Sequence, residues 1–200
     1  MKRPFVVAIT GASGSVYGIE LVRALTELGE DILLVVSPEA RLVIKAELGM
    51  TLPEAERLES FSPLFSKKVR DRIRYFDYRD IAAPPASGSF KTKGMIVCPC
   101  SQATLSAIRT GASRNLIDRA ADVAIKEGKP LILVPREMPL SPVHLENMLA
   151  LSRMGVKILP AAPGFYHQPK SIEDLVRFVV GKVLDSAGVD HNLFKRWGSK

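Results

Sequence analysis

Two hundred residues fill little more than one domain of roughly 100–200 residues, and 46% hydrophobic with 24% charged side chains is the balance of a folded globular chain, not of a disordered or collagen-like one. No apolar run approaches the ~20 residues of a membrane-spanning helix, and the basic start Met1-Lys-Arg leads into only five apolar residues before Thr10-Gly11, so a cytoplasmic protein without a secretory leader is expected. The excess of 28 Lys and Arg over 21 Asp and Glu, a net +7 spread along the chain, favours small anionic ligands over nucleic acid, for which no helix-turn-helix, zinc-finger or RNP-type pattern is present.

Short apolar runs alternate with amphipathic stretches, the pattern of a parallel sheet covered on both faces by helices. Strands are predicted at residues 5–10, 31–36, 73–77, 94–98, 131–134 and 156–159. After the first, Tyr17, Leu21, Leu25 and Leu28 recur at helical spacing and Gly29 stops the helix. After the second, Ser37-Pro38 supplies an N-cap with proline at the first helical position, opening a helix that carries Leu42, Val43, Ala46 and Leu48. The stretch 79–93, containing Ala83-Pro-Pro-Ala-Ser-Gly-Ser89, is an irregular loop long enough to be functional.

Cys98 and Cys100 lie too close along the chain for an unstrained bridge and read as two small buried hydrophobes at a strand end. Ser101-Gln-Ala-Thr104 then opens a helix, and Lys126-Glu127 closes the next one. Ser141-Pro142 repeats the capping device before a helix ending at Gly155, with His144 in its first turn as a capping or packing residue. Ser171-Ile-Glu-Asp174 resembles a capping box, with aspartate in place of glutamate, before a last helix to about Ser186. A domain over residues 1–188 is thus followed by a polar tail, 189–200, in which the single tryptophan, Trp197, reads as a docking anchor. His144, His167 and His191 make no metal-binding pair on a helix face, and no metal site is expected.

Ligands of open parallel sheets sit beyond the carboxyl ends of the strands, and here those ends are rich in hydroxyls and amides. Thr10-Gly-Ala-Ser-Gly-Ser15 joins the first strand to a helix, and its glycines, serines and helix N-terminus suggest a phosphate-binding turn. Its Gly-x-x-Gly spacing fits neither the dinucleotide fingerprint nor a Walker loop. Ser37 stands where an NAD enzyme places an acid, so a mononucleotide, flavin mononucleotide (FMN), fits better. Arg136-Glu137 directly follows the fifth strand. With Lys126, Tyr166 and Lys182 it could form a cationic, hydroxyl-bearing site for a second phosphate, although a structural pair at an element end is the commoner role for any one of them.

The chain resembles the UbiX family of flavin prenyltransferases over nearly its whole length: TGASGSVYG (10–18), APPASGS (83–89), CPCSQATLSAIRTGASRNLIDRAADVAIKE (98–127), LVPREMPLSPVHLENMLALSRMG (133–155) and LPAAPGFYHQP (159–169). The resemblance implies a Rossmann-like or flavodoxin-like homo-oligomer, a dodecamer with sites at subunit contacts. It implies transfer of a dimethylallyl group from dimethylallyl monophosphate to N5 and C6 of reduced FMN, without a metal. The prenylated flavin then serves UbiD-type decarboxylases, with ubiquinone biosynthesis the pathway the family name points to. By matching motif, Gly11, Ala12, Ser13, Ser37, Ser101, Gln102, Ala103, Thr104 and Arg136 are expected to hold the flavin nucleotide.

Ser87, Arg119, Lys126, Tyr166 and Lys182 are expected to hold the allylic phosphate, some from a neighbouring subunit, with Trp197 walling the site. Glu47 and Glu137 match the family's active-site carboxylates, and with Ser13 and Lys126 they form the expected catalytic set. Lys182 stands where arginine is common, keeping the charge but losing the bidentate fork. Glu47, Glu137 and the departing phosphate all remain open as the base. Two rival readings are a flavin-dependent cysteine decarboxylase, disfavoured because the first histidine is His144 and the loop at 83–89 has no asparagine, and a non-catalytic flavin carrier.

Overall fold

The structure is a computed structural model that describes residues 3–52 and 57–198. Its elements, in chain order, are β1 (Phe5–Ile9), α1 (Ser15–Glu27), β2 (Ile32–Val36), α2 (Pro38–Leu48), α3 (Lys67–Arg70), β3 (Ile73–Phe76), β4 (Gly94–Cys100), α4 (Gln102–Thr110), α5 (Leu116–Lys126), β5 (Leu131–Pro135), α6 (Pro142–Arg153), β6 (Lys157–Ile158) and α7 (Ile172–Ala187). All six predicted strands form, and they pair in parallel in the order β3-β2-β1-β4-β5-β6. This is the Rossmann order rather than the flavodoxin one.

Alternate residues of each strand feed two separate cores, as the period of two requires. Phe5, Val7, Ile9, Ile32, Leu34 and Val36 pack with α1, α2 and α7 on one face. Val6, Ala8, Leu33, Val35, Met95 and Val97 pack with α4, α5 and α6 on the other. Cys98 and Cys100 are both buried and free, and they fall in different cores because the ladder of β4 against β5 slips between Val97 and Cys100. Burial pushes both thiols up, away from any reactive thiolate. Helix α1 lies so close to β4 that a methyl on Gly18 would come within 2.2 Å of the Cys98 carbonyl oxygen.

The local capping signals hold. Ser37, Ser101, Ser141 and Ser171 each accept a hydrogen bond from the third residue of the helix they open. At α6 the reciprocal half of the box comes from His144 Nδ1, and at α7 from Asp174. The apolar face expected for α2 does not hold: Ala40 and Ile44 are the buried residues, while Leu42 is 69% exposed and Leu48 also faces outward. Leu28, expected on the α1 stripe, is the C-cap and is exposed. No helix is long and apolar enough to cross a membrane among the described residues.

Candidate active site

The chain turns outward in opposite directions from the adjacent strands β1 and β4, and this opens a crevice at their carboxyl ends. Thr10 ties the two ends together. Its buried hydroxyl donates to the Pro99 carbonyl at 2.8 Å and accepts the Ser101 N–H at 2.8 Å. The turn that follows runs tightly past α2, where a Cβ on Gly11 would fall 2.4 Å from that of Glu39, and ends at Gly14 with φ 92°, a left-handed conformation that suits glycine.

Helix α1 has no cap from its own N-cap side chain. Its free N–H groups are taken by Glu47, from the end of α2: Oε1 accepts the Gly14 N–H at 2.7 Å, and Oε2 accepts the Ser15 N–H at 2.8 Å and the Ser15 hydroxyl at 2.7 Å. The Ser13 hydroxyl adds a further bond. Partial burial would raise the Glu47 pKa, but these hydrogen bonds outweigh it and hold the carboxyl below its ordinary range. The turn expected to bind phosphate thus already spends these donors on Glu47. The anion at the α1 N-terminus is the protein's own carboxylate, and a second anion there would meet a like charge at close range. Arg136, just past β5, donates from Nε to the Ser13 carbonyl at 3.1 Å, so Ser13, Glu47 and Arg136 come together. Glu137 is exposed beside Arg136 and accepts the Met138 N–H at 3.2 Å.

Next to this turn, Gly11, Ser37, Glu39, Tyr78, Ser101, Ala103, Thr104, Arg114 and Asn115 line a cleft of about 400 Å³. Three helices, α2, α4 and α5, begin at it, capped by Ser37, Ser101 and Asn115. Among the described residues the N–H groups of Gln102 and Ala103 donate to nothing within the chain. Converging N-termini with free N–H groups form an anion site, and the hydroxyls beside them suit a polyhydroxyl chain. The residues present thus fit the phosphate and ribityl portion of a flavin nucleotide. The Gln102 side chain does not line the cleft, and its amide is buried without a partner. Asp118, 2% exposed, accepts from Arg114 Nε and Asn115 Nδ2; burial raises its pKa despite the compensating Arg114 charge. A larger cleft of about 670 Å³ lies at the opposite edge, between Arg3, Asp31, Arg72 and Phe90. It sits at the amino ends of the strands, away from those helix N-termini, so size is not the criterion.

The residues expected to hold the allylic phosphate divide into two groups. Ser87 ends a short turn, Pro84–Ala86, that packs on α5, and Arg119 and Lys126 lie two turns apart on α5. Arg119 meets Asp122 at 3.3 Å, and Lys126 meets Glu127 at 3.9 Å. Tyr166, Lys182 and Trp197 belong to the α7 side. The Tyr166 ring stands edge-on to Phe178 at 5.5 Å and to Trp197 at 5.4 Å, and Lys182 lies 3.7 Å from Asp185. Since α5 and α7 cover opposite faces of the sheet, one chain does not assemble the whole set. Trp197 is 81% exposed, and the tail is anchored by Arg196 and the buried His191, not by the indole as expected.

The Flavoprotein family model matches residues 1–184. The flavin prenyltransferase UbiX of Pseudomonas aeruginosa is 49% identical over 195 residues, 97% of this chain and 93% of that one. The chain belongs to the UbiX flavin prenyltransferase family. Among solved structures, AnUbiX in complex with FMN and dimethylallyl pyrophosphate matches with a TM-score of 0.87 and 41% identity over 100% of both chains. A dodecameric FMN-dependent UbiX-like decarboxylase from Escherichia coli matches at 0.85 and 44%, again over 100% of both. The peptidyl-cysteine decarboxylase EpiD, 14% identical with a TM-score of 0.60 over 94% of this chain and 99% of that one, shares the fold alone.

Of the residues lining the cleft, Glu39, Tyr78, Arg114 and Asn115 are not among those expected from the sequence, and the tie that Thr10 makes between β1 and β4 is not either. Asn115 had a local signal, an Asn with Asp118 three residues later at the start of an amphipathic run. The capping of α1 by Glu47 had none, because the partners are more than thirty residues apart in sequence. Among the described residues no cluster of His, Cys, Asp and Glu could hold a metal ion.

Proposed function

We propose that this chain is a flavin prenyltransferase that moves a dimethylallyl group from dimethylallyl monophosphate to N5 and C6 of reduced FMN. The observation that carries the reading is the donor-lined cleft in a chain 49% identical over 97% of its length to a flavin prenyltransferase; the cationic and aromatic residues on α5 and α7 are ones that neither a flavin carrier nor a cysteine decarboxylase needs. Reduced FMN, when bound, would supply N5 to displace the phosphate, which leaves with the electron pair of the broken C–O bond and can take the N5 proton, and C6 to add across the allyl double bond, whose other carbon gains a proton as C6 loses its own.

Ser37, Ser101, Thr104 and the N–H groups of Gln102 and Ala103 hold the nucleotide phosphate in this reading, and Gly11, Ala12 and Ser13 border the ring with Arg136. Ser87, Arg119 and Lys126 of one chain and Tyr166 and Lys182 of another hold the allylic phosphate and stabilise the charge that grows on its oxygens. Trp197 helps keep water from the allyl group. Glu47 is a poor proton acceptor, since four hydrogen-bond donors hold its carboxylate ionised. Its role is to fix the Ser13–Ser15 turn. Glu137, which accepts a single bond from a neighbouring N–H, is assigned as the base.

The site needs at least two chains, which supports a homo-oligomer, and we take the dodecamer as its form. The same reading makes this a cytoplasmic enzyme supplying a UbiD-type decarboxylase, with ubiquinone biosynthesis as the pathway. Anaerobic incubation with reduced FMN and dimethylallyl monophosphate should raise the mass of the extracted flavin by one five-carbon allyl unit. An unchanged mass from folded, flavin-loaded protein would falsify the assignment, and carbon dioxide released from a cysteine-terminated peptide would replace it with the decarboxylase reading.

A further inference from the structure

The tail beyond α7 is held by one carboxylate. Asp185 receives both arms of the Arg196 guanidinium, Nη2 to Oδ1 at 2.8 Å and Nη1 to Oδ2 at 3.2 Å. His191 Nε2 lies 3.2 Å from the same Oδ1, and the Lys182 ammonium 3.7 Å from Oδ2. His191 is buried, and its Nδ1 accepts the Leu193 N–H at 3.1 Å, so the ring proton sits on Nε2 and is donated to Asp185. Burial would raise the Asp185 pKa, but the Arg196 hydrogen bonds and charge, with the Lys182 ammonium beside them, lower it, and the carboxylate stays ionised.

Gly181 makes the close approach possible: a Cβ there would lie 2.5 Å from the Phe194 ring and 2.7 Å from His191. Phe194 packs at 4.8 Å on Phe178, which stacks on His167 at 4.9 Å. The residue after the clamped Arg196 is Trp197, whose ring meets Tyr166 edge-on at 86°. With the indole largely exposed, its place is set from behind by Arg196 and not by its own burial.

We infer that Asp185 is a positioning residue for the allylic-phosphate side of the site. A two-point guanidinium–carboxylate bond fixes orientation as well as distance, so Asp185 holds the tail with Trp197 beside Tyr166. Its contact with Lys182 keeps that ammonium aligned until a phosphoryl group takes it over. The inference rests on the function proposed above for Tyr166, Lys182 and Trp197.

Because Trp197 is the only tryptophan, its fluorescence anisotropy decay in the assembled protein reports the clamp directly. In the wild type the indole turns with the whole particle. Asp185→Ala should add a fast nanosecond component and raise KM for dimethylallyl monophosphate about tenfold, since misplacing a positioning group costs on that order, while FMN affinity stays within about twofold. Asp185→Glu should restore part of both. Arg196→Ala cuts the same clamp without touching α7 and should reproduce both changes, which covers an Asp185→Ala chain that fails to fold. A wild-type anisotropy decay in both alanine variants overturns the inference, as does a freed indole with an unaltered KM. A wild-type protein that transfers nothing defeats the functional reading instead, and the anisotropy of Trp197 still decides the clamp.

Discussion

The crevice at the carboxyl ends of β1 and β4 and the cationic groups of α5 and α7 are built on different plans. Within one chain the crevice is complete: Thr10 joins its two strands, Glu47 fixes its first turn, and three capped helix N-termini converge on the neighbouring cleft. The cationic groups are split between the two faces of the sheet, so on the function proposed above Ser87, Arg119 and Lys126 of one copy work with Tyr166, Lys182 and Trp197 of another. The cleft proposed for the nucleotide is thus lined within one chain, whereas the transfer proposed here draws on the assembly.

The sharpest way to break that contrast is complementation. Lys126→Ala and Lys182→Ala should each lower prenyl transfer by roughly 10²-fold or more, as expected for groups that stabilise developing charge. Assemblies mixed from the two variants should recover roughly a quarter of wild-type activity, because random pairing across a symmetric contact rebuilds that share of intact sites. Mixed particles that recover nothing would place both lysines in a site drawn from a single chain.

The crevice side should respond without reference to assembly. Thr10→Val leaves the part-buried Ser101 N–H without its acceptor and takes the hydroxyl from the Pro99 carbonyl, which keeps only the Thr10 N–H, and should cost about 1–3 kcal/mol, a fall of roughly 2–12 °C in Tm for a chain of this size, measurable by calorimetry. Ser101→Ala should weaken FMN binding about tenfold, as loss of a hydrogen bond to a charged group does. Glu47→Gln should leave FMN affinity nearly unchanged, because the proposed phosphate site lies at Ser37 and Ser101 and not at the Glu47 turn. A titration in which Glu47→Gln weakens FMN as much as Ser101→Ala would return the phosphate to the first turn.

Glu47→Gln carries a smaller, pH-dependent effect on stability of about 1 kcal/mol, discounted for its exposure. Folding lowers the pKa of Glu47 beneath its unfolded value, so its contribution is complete above the ordinary carboxylate pKa and drains away as pH falls through the folded one. The Tm gap between wild type and Glu47→Gln should be full near neutrality and close in acid. A gap independent of pH would show that the carboxylate's charge is not what holds the turn.

Signals carried by neighbours in sequence were legible. The six strands stand out as short apolar runs, and Ser37-Pro38, Ser141-Pro142 and Ser171 to Asp174 cap the helices they announce, because a cap is chemistry between residues three apart. The hydroxyls at the strand ends are brought together, with Ser37, Ser101 and Thr104 lining one cleft. What stayed hidden depends on distant partners: Glu47 capping α1, Asp185 gathering the tail, and the placement of α5 and α7 on opposite faces. Leu42 and Leu48 misled for a related reason. Apolar character says that a side chain seeks cover, not whether its own chain provides it, and α2 turns Ala40 and Ile44 to the core instead.

The contact between Gly18 and the Cys98 carbonyl bears on what such a site can accommodate. With not even a methyl's width between α1 and β4, the floor of the crevice is incompressible and cannot sink to admit a bulkier guest. On the function proposed above, a flavin enlarged at N5 and C6 finds its extra volume on the open side of the crevice. Product release then becomes a matter of how the rim parts.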